Sequence, residues 1–560
     1  MDYKKYIAQK LSIDGISAEE TANFLETPPN LEMGDFALPC FKLSKILRKS
    51  PVVIAKELAE SFETDQVISG CQAENGYLNF KVNRTAFAKG VLKSVIDSGD
   101  RYGADEIGKG KTVCIDYSSI NIAKPFHIGH LSTTVIGSAL CKIFDFLGYK
   151  TVGINHLGDY GTQFGKLIVA FKKWSSVEAV EKDRLKELTR IYVKFHDEAE
   201  KDPSLDDEAR RYFKLIEDGD EESNKLFKLF KKITLEEVDK IYKLLNVKFD
   251  SYAGESFYND KMAPVVEELK EKGLIKVSDG ASIVDLEEYG MPPCLILKSD
   301  GSTLYATRDL AAAMYRKKEY DFDKCLYVVA YQQNLHFKQF FKVLELMGKE
   351  WAKDMVHVAY GMVSMEDGAM SSRKGKVVLL EDVISKTIEK AKTVIENKNP
   401  DLKDKDDVAR AVGTGAVIFG ALCNNKIKDI VFSYDRVLSF EGETCPYVQY
   451  TVARCNSVIE KCERGVEGEI AQICEQEYAV LTELNKFPDV VKSAAEKYEP
   501  SYIARYCLDL ASVFNKFYFD CKIADKDESV RDFRLKITTA TKITLTNALK
   551  LLGIQTVEKM

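Results

Sequence analysis

The sequence predicts an α/β fold built on a parallel sheet, with a small α+β unit before it and an all-helical segment after it. Three observations carry this. A strand, a helix and a second strand follow one another within residues 111–159, a βαβ unit whose strands must run parallel. Two more apolar runs, CLYVVAY at 325–331 and MVHVAYGMV at 355–363, read as buried-type strands. From about residue 383 onward the pattern is helical, broken only by short loops.

The elements follow in order. Residues 1–105 read as the α+β unit, in which FALPCFKLSKILRKS is predicted as a helix. Pro51 opens the next helix, VVIAKELAESF, because a fixed φ and a missing N–H suit the first helical turn. Lys42, Lys45 and Lys49 share one face of the first of these, either a solvated face or a phosphate-contacting patch. In KTVCIDYSS, Val113, Ile115 and Tyr117 alternate with other residues, which is a strand pattern. Leu131, Val135, Ile136, Ala139, Leu140, Ile143, Phe144 and Leu147 then recur at helical spacing, and TVGINHLGD forms the second strand. The charged run from about 171 to 250 reads as a helical insertion. CLILKSDGSTLYATRD reads as a hairpin turning at Asp300–Gly301. The expected division is 1–105, then 106–440 with stem helices from about 383, then 441–560.

Composition narrows the class. The thirteen cysteines are scattered without a CxxC pair, as expected of reduced thiols in a cytoplasmic protein. The N-terminal MDYKKYIAQKLSIDG lacks the apolar core of a secretory signal, and no apolar run is long enough for a membrane span. A net charge of -7 gives no global attraction to nucleic acid, so RNA contacts would need local basic patches.

Parallel sheets bind ligands beyond the carboxyl ends of their strands. The four predicted strands run into SSINIAKPFHIGH, NHLGDYGTQFG, QQNLHF and MEDGAMSSRKGKV, all polar and most of them glycine-bearing, which points to one shared pocket. His127 and His130, two of only six histidines, stand three apart around Gly129. They could ligate a metal, with His156 as the one plausible helper, or be structural. Their place between a strand and a helix N-terminus favours an anion, since such termini present free N–H groups. The glycine leaves room for a base or phosphate to approach the backbone. GADEIGKG at 103–110 is not a phosphate loop, because it precedes its strand, carries two acids and lacks the final hydroxyl. AMSSRKGK at 369–376 brings hydroxyls and basic groups suited to a leaving pyrophosphate.

HIGH at 127–130 followed much later by MSSRKG resembles class I aminoacyl-tRNA synthetases. DYSSINIAKPFHIGHL, NHLGDYGTQFG, LYATRDLAAAMYR, YVVAYQQNLHFKQFF, HVAYGMVSMEDGAMSSRKG and SYDRVLSFEGETCPYVQYTVARCNSV narrow the resemblance to the arginyl-tRNA synthetase family, essentially end to end. It implies a Rossmann-type catalytic domain, an N-terminal add-on domain touching the tRNA elbow and a helical anticodon-binding domain. The implied substrates are L-arginine, ATP with Mg2+, and tRNA(Arg), whose terminal adenosine would be charged on its 2′-hydroxyl through an arginyl-adenylate. No protein-bound metal is expected, and a monomer is the family default. Asp116, Asn121, Tyr305, Asp309 and Gln333 match the arginine-binding positions. Independently, a guanidinium fork needs carboxylates and further acceptors at fixed places, which these residue types supply. His127, Gly129 and His130 match ATP-binding positions, joined by Met370, Ser371 and Ser372.

The departures are local. KMSKS reads here as Ala369 to Arg373, without either lysine in strict register. The resemblance passes that role to Lys124, with Arg373 and Lys374 as further catalytic candidates. Ile120 and Ser132 stand where many members have proline and arginine.

At the C-terminus, Ile503, Cys507, Leu510, Phe514, Phe517 and Cys521 form a core stripe. Arg454, Tyr502, Arg505 and Tyr506 are the candidates for tRNA contact, since exposed aromatics stack on splayed bases and arginines pair with phosphates. A small-molecule nucleotidylyltransferase would share the histidine pair but would not need the long helical tail. A non-catalytic RNA-binding relative would be expected to lose the histidines or acids that this chain keeps.

Overall fold

The computed structural model describes residues 3–28, 33–299, 305–365, 378–439, 441–463 and 472–560. It divides into two compact units: Met1–Tyr102 with Cys455–Lys486 and Ser512–Thr544, and Gly103–Arg454 with Phe487–Ala511 and Leu545–Met560.

In the first unit, β1 (Phe36–Pro39), β2 (Ile68–Glu74) and β3 (Tyr77–Val82) form an antiparallel sheet in the order β1-β3-β2. The helix expected over FALPCFKLSKILRKS is therefore largely absent. FALP pairs with β3, Phe36 opposite Phe80 and Leu38 opposite Leu78, and all but Phe36 of these four are buried. Tertiary pairing overrides the local pattern there. What helix there is consists of a 3-10 turn over Cys40–Lys42 and one α-helical turn over Ser44–Leu47, ended by Arg48 at φ 54°. The helix opened by proline does form, over Pro51–Ser61, with the Ser50 side chain accepting from the Val53 N–H. Lys49 pairs with Glu57 at 2.7 Å, and Lys42 lies over the Phe24 ring. The start of the helix Glu475–Glu496 belongs to this unit. Its Tyr478 hydroxyl donates to Asp35, and Arg84 stacks over the Tyr478 ring at 4.3 Å while pairing with Glu475.

The second unit carries β4 (Thr112–Asp116) and β5 (Lys150–Ile154), joined by the helix Leu131–Phe146. The insertion follows as the helices Thr162–Trp174, Val177–Ala199, Ser204–Glu217 and Glu221–Leu244. Gly165 lets the first of these meet the third, because a Cβ there would lie 1.8 Å from the Ala209 carbonyl oxygen. Then come β6 (Ile275–Ser278), β7 (Ala281–Val284) and β8 (Cys294–Leu297), an antiparallel sheet, and β9 (Lys324–Tyr327) and β10 (Met355–His357). The main sheet is wholly parallel, in the order β10-β9-β4-β5. Since β4 is followed by a neighbour on one side and later by β9 on the other, the chain reverses its winding there. The ligand crevice belongs at the carboxyl ends of β4 and β9.

The hairpin expected across 294–309 is corrected. Its first arm, β8, pairs back to β7, and its second arm is the start of the helix Tyr305–Tyr320. Ala311, Ala312 and Ala313 make that segment strongly helix-forming and pack it into the core beside Leu310. The turn at Asp300–Gly301 lies outside the described residues. Every residue of the predicted stripe is buried, five of them in the helix Ser501–Asp520 and Cys521 just beyond its end.

Candidate active site at the carboxyl ends of the sheet

The loop leaving β4 is conformationally strained. Ser118, Ser119 and Ala123 adopt φ of 70°, 44° and 61°, a region that side-chain-bearing residues rarely enter and one enriched at functional sites. Hydroxyls hold it: the Ser118 N–H donates to Thr133 Oγ1 at 3.0 Å, and the Ala123 N–H donates to Thr234 Oγ1 at 3.0 Å. Asn121 lies against Gly158 of the loop after β5, where a Cβ would stand 2.5 Å from Asn121 Oδ1 and displace that side chain. His127 and His130 then close a turn, Ile128–His130, in front of the helix Leu131–Phe146.

This turn departs from the expectation of free N–H groups. The His127 N–H donates to His130 Nδ1 at 3.2 Å, and the Gly129 N–H donates to His127 Nδ1 at 3.1 Å. The amides of Ile128, His130 and Leu131 are bonded to the carbonyls of Val378, His127 and Ile128. The backbone is therefore spent on shaping the turn. Both Nδ1 atoms lie where they accept an amide N–H, which favours a proton on Nε2 of each neutral ring, while His130 Nδ1 also stands 3.3 Å from the His127 carbonyl oxygen; the ring planes are tilted by 41° with centroids 4.0 Å apart. Burial, with His127 adding to it, pushes His130 down to about 3, and burial and Lys124 lower His127. The pair offers two neutral N–H donors to an anion. Lys124 is half-buried, and burial lowers its pKa against the opposing pull of Glu255.

The second basic motif falls outside the described residues, and with it Met370, Ser371, Ser372, Arg373 and Lys374. The chain that leaves it does not. The Ile128 N–H donates to the Val378 carbonyl, and the Leu380 N–H to that of Phe126, each at 3.0 Å. The exit of that motif is thus pinned to the histidine turn.

The acids gather beside it. Asp116, 5% exposed at the end of β4, pairs through Oδ2 with Arg316 at 2.7 Å and accepts from Ser119 Oγ through Oδ1. Asp309 accepts from His336 Nε2 at 2.6 Å. Tyr305, 66% exposed, sits one helical turn before Asp309 with its hydroxyl bonded to Glu255. Gln333 is exposed in the turn after β9. His156 is committed to Arg316 at 3.4 Å and carries the field of Asp116, Asp309 and Asp159.

Two contributors were not anticipated from sequence. Glu255 is buried, and burial raises its pKa to about 6, with Arg308 pulling the other way and Asp309 and Asp159 adding to the rise. Nothing periodic marks it in AGESFYND. Arg316 is fully buried; burial alone would lower its pKa, but the charge of Asp116 more than offsets this and holds it well above its ordinary value. Its seven-residue spacing from Asp309 on one helix was the available signal.

Of the proposed tRNA contacts, Tyr502 and Arg505 are exposed, and Arg454 lies over the Tyr450 ring at 4.9 Å. Tyr506 is corrected: it is 3% exposed and stacks on Phe487, so no base can reach its face.

The comparisons with known proteins agree on one family. Residues 91–434 match the class I (R) tRNA synthetase catalytic domain, 448–560 the DALR anticodon binding domain, and 1–82 the arginyl tRNA synthetase N-terminal domain. The arginine–tRNA ligase of Clostridioides difficile is 54% identical, and that of Alkaliphilus metalliredigens 52%, each over the whole of both chains. The solved arginyl-tRNA synthetase of Thermus thermophilus superposes with a TM-score of 0.81 at 26% identity, covering 96% of each chain.

Proposed function

Because this chain belongs to the arginyl-tRNA synthetase family and charges tRNA with arginine using ATP, we propose a specific division of labour at its site. The guanidinium of the substrate lies among Asp309, Glu255 and Tyr305. Its α-amino and carboxylate end meets Asp116, Asn121 and Gln333. ATP enters as its magnesium complex, with the base over Gly129. The arginine carboxylate attacks the α-phosphate in line and pyrophosphate leaves, giving arginyl-adenylate. The 2′-hydroxyl of the terminal adenosine then takes the arginyl group.

The enzyme works by positioning and charge stabilisation rather than by a covalent intermediate. His127 and His130 donate Nε2–H to phosphate oxygens, where neutral N–H donors gain strength as negative charge builds. Lys124 stands in for the missing signature lysines, with Met370, Ser371, Ser372, Arg373 and Lys374 closing on the pyrophosphate side. Arg454, Tyr502 and Arg505 meet tRNA.

The observation that carries this reading is the cluster of Glu255 and Asp309 around Tyr305, in the same unit as two neutral imidazole donors. A fork-shaped cation suits such acids, and a shorter or uncharged analogue leaves a buried carboxylate uncompensated. The test is ATP–pyrophosphate exchange with each of the twenty amino acids, with and without tRNA. Exchange with arginine alone, dependent on tRNA, is expected. Exchange with another amino acid would overturn the assignment of the acids.

A further inference from the structure

We propose that Cys474 and Cys521 form a reversible disulfide that staples the start of the helix Glu475–Glu496 to the end of the helix Ser501–Asp520. Their Sγ atoms lie 3.6 Å apart, and both residues belong to the first unit. Each sits just outside a helix, where the backbone adjusts more readily than inside one. Contraction to a bond of about 2.05 Å therefore needs only a small shift. The two segments are already clipped together: Gln476 donates to Asp520 at 3.2 Å. The Cys474 N–H is held by Glu477 Oε2 at 2.9 Å, and Arg534 Nε holds Oε1 of the same carboxylate at 2.7 Å.

Glu477 and the two sulfurs also converge closely enough to suggest a cation site. The geometry argues against one. Both Glu477 oxygens are taken, and the Arg534 guanidinium occupies the side from which a cation would need support. What remains is a dithiol.

Access is graded in the way thiol–disulfide exchange requires. Cys474 is half-buried, whereas Cys521 is buried. With a low-molecular-weight disulfide as oxidant, Cys474 gives up its proton and its thiolate attacks one sulfur, displacing a small thiolate. Cys521 then gives up its proton and attacks Cys474 Sγ, displacing the second. The two protein thiols lose two electrons and two protons; one S–S bond breaks in the oxidant, one forms in the protein, and two small thiols leave. Burial and the neighbouring Cys474 thiol push Cys521 up to about 12, which disfavours it as the first nucleophile and leaves that role to Cys474; the part contributed by Cys474 is removed once that sulfur is held in the mixed disulfide.

The test is incubation of the intact protein with oxidised glutathione, followed by peptide mass spectrometry without reduction. The expected result is a cross-linked peptide pair containing Cys474 and Cys521, lighter by two hydrogens than the sum of the free peptides. It should be lost on adding dithiothreitol and absent in both Cys474→Ser and Cys521→Ser. Either of two results would overturn the proposal. One is wild-type protein that yields no such link or joins either cysteine to Cys462 instead. The other is stoichiometric zinc in the protein as isolated that disappears in Cys474→Ser.

Discussion

At His127 and His130 the backbone biases the tautomer. An amide N–H meets each Nδ1, which favours Nε2–H as the outward donor, against a competing 3.3 Å approach of His130 Nδ1 to the His127 carbonyl oxygen. Replacing His130 with alanine is expected to lower kcat for adenylate formation roughly 100- to 1,000-fold, the usual cost of losing one preorganised donor. KM for arginine should change little; pre-steady-state pyrophosphate release measures both. Glu255 gives a second prediction at this scale. Its pKa is raised to about 6, so the free enzyme carries this carboxylate charged above that pH and neutral below it. A guanidinium needs the charged form. The kcat/KM for arginine should therefore fall as pH drops through about 6, and Glu255→Gln should flatten that limb while lowering the plateau. A pH series on both proteins decides it.

At the scale of elements, one guanidinium ties the site together. Arg316 belongs to the helix Tyr305–Tyr320 yet pairs with Asp116 at the end of β4, approaches His156 after β5 and stacks near Tyr327 of β9. It fixes Oδ2 of Asp116 while the Ser119 hydroxyl holds Oδ1, so the orientation of this carboxylate is set by the protein at both oxygens. Arg316→Met leaves a buried carboxylate unpaired and is expected to cost about 3–5 kcal/mol, read as a lowered urea midpoint. Adding Asp116→Asn should restore part of that stability without restoring activity. The strained loop at Ser118, Ser119 and Ala123 depends on similar support from other elements, through Thr133 and Thr234.

For the molecule as a whole, a net charge of -7 means that tRNA is held by local contacts rather than by a basic surface. Tyr502 is 45% exposed near the start of its helix, with Arg505 exposed beyond it. Tyr502→Ala is expected to raise KM for tRNA roughly 5- to 150-fold, the value of one base stack. Exchange supported by saturating tRNA should stay near wild type. Aminoacylation kinetics with varied tRNA distinguish this from a structural defect, which would lower both.

The first three parallel strands, the helix after the histidine motif, the helical insertion and the C-terminal core stripe were legible in the sequence; the run expected as one strand over 355–363 instead breaks into β10 and a separate strand, Val363–Met365, that pairs with Ile430–Phe432 in another sheet. Each of the legible elements rests on a repeating apolar pattern or on a local proline or glycine rule, and such signals survive without tertiary context. The motifs also carried the family, because their residues are contiguous. Where the sequence misled, the deciding contact was distant. FALP became a strand because β3 lies beside it. YATRD left the expected hairpin because the core took Ala311–Ala313 as a helix. Tyr506 turned inward against Phe487. Glu255 and Arg316 stayed invisible for the same reason: their meaning lies in partners 53 and 200 residues away, at Arg308 and Asp116. The sequence by itself determined the strongly periodic elements and the chemistry that the contiguous motifs carry. Only the tertiary structure decided which charges meet, since burial and pairing are properties of the packed site and not of the chain.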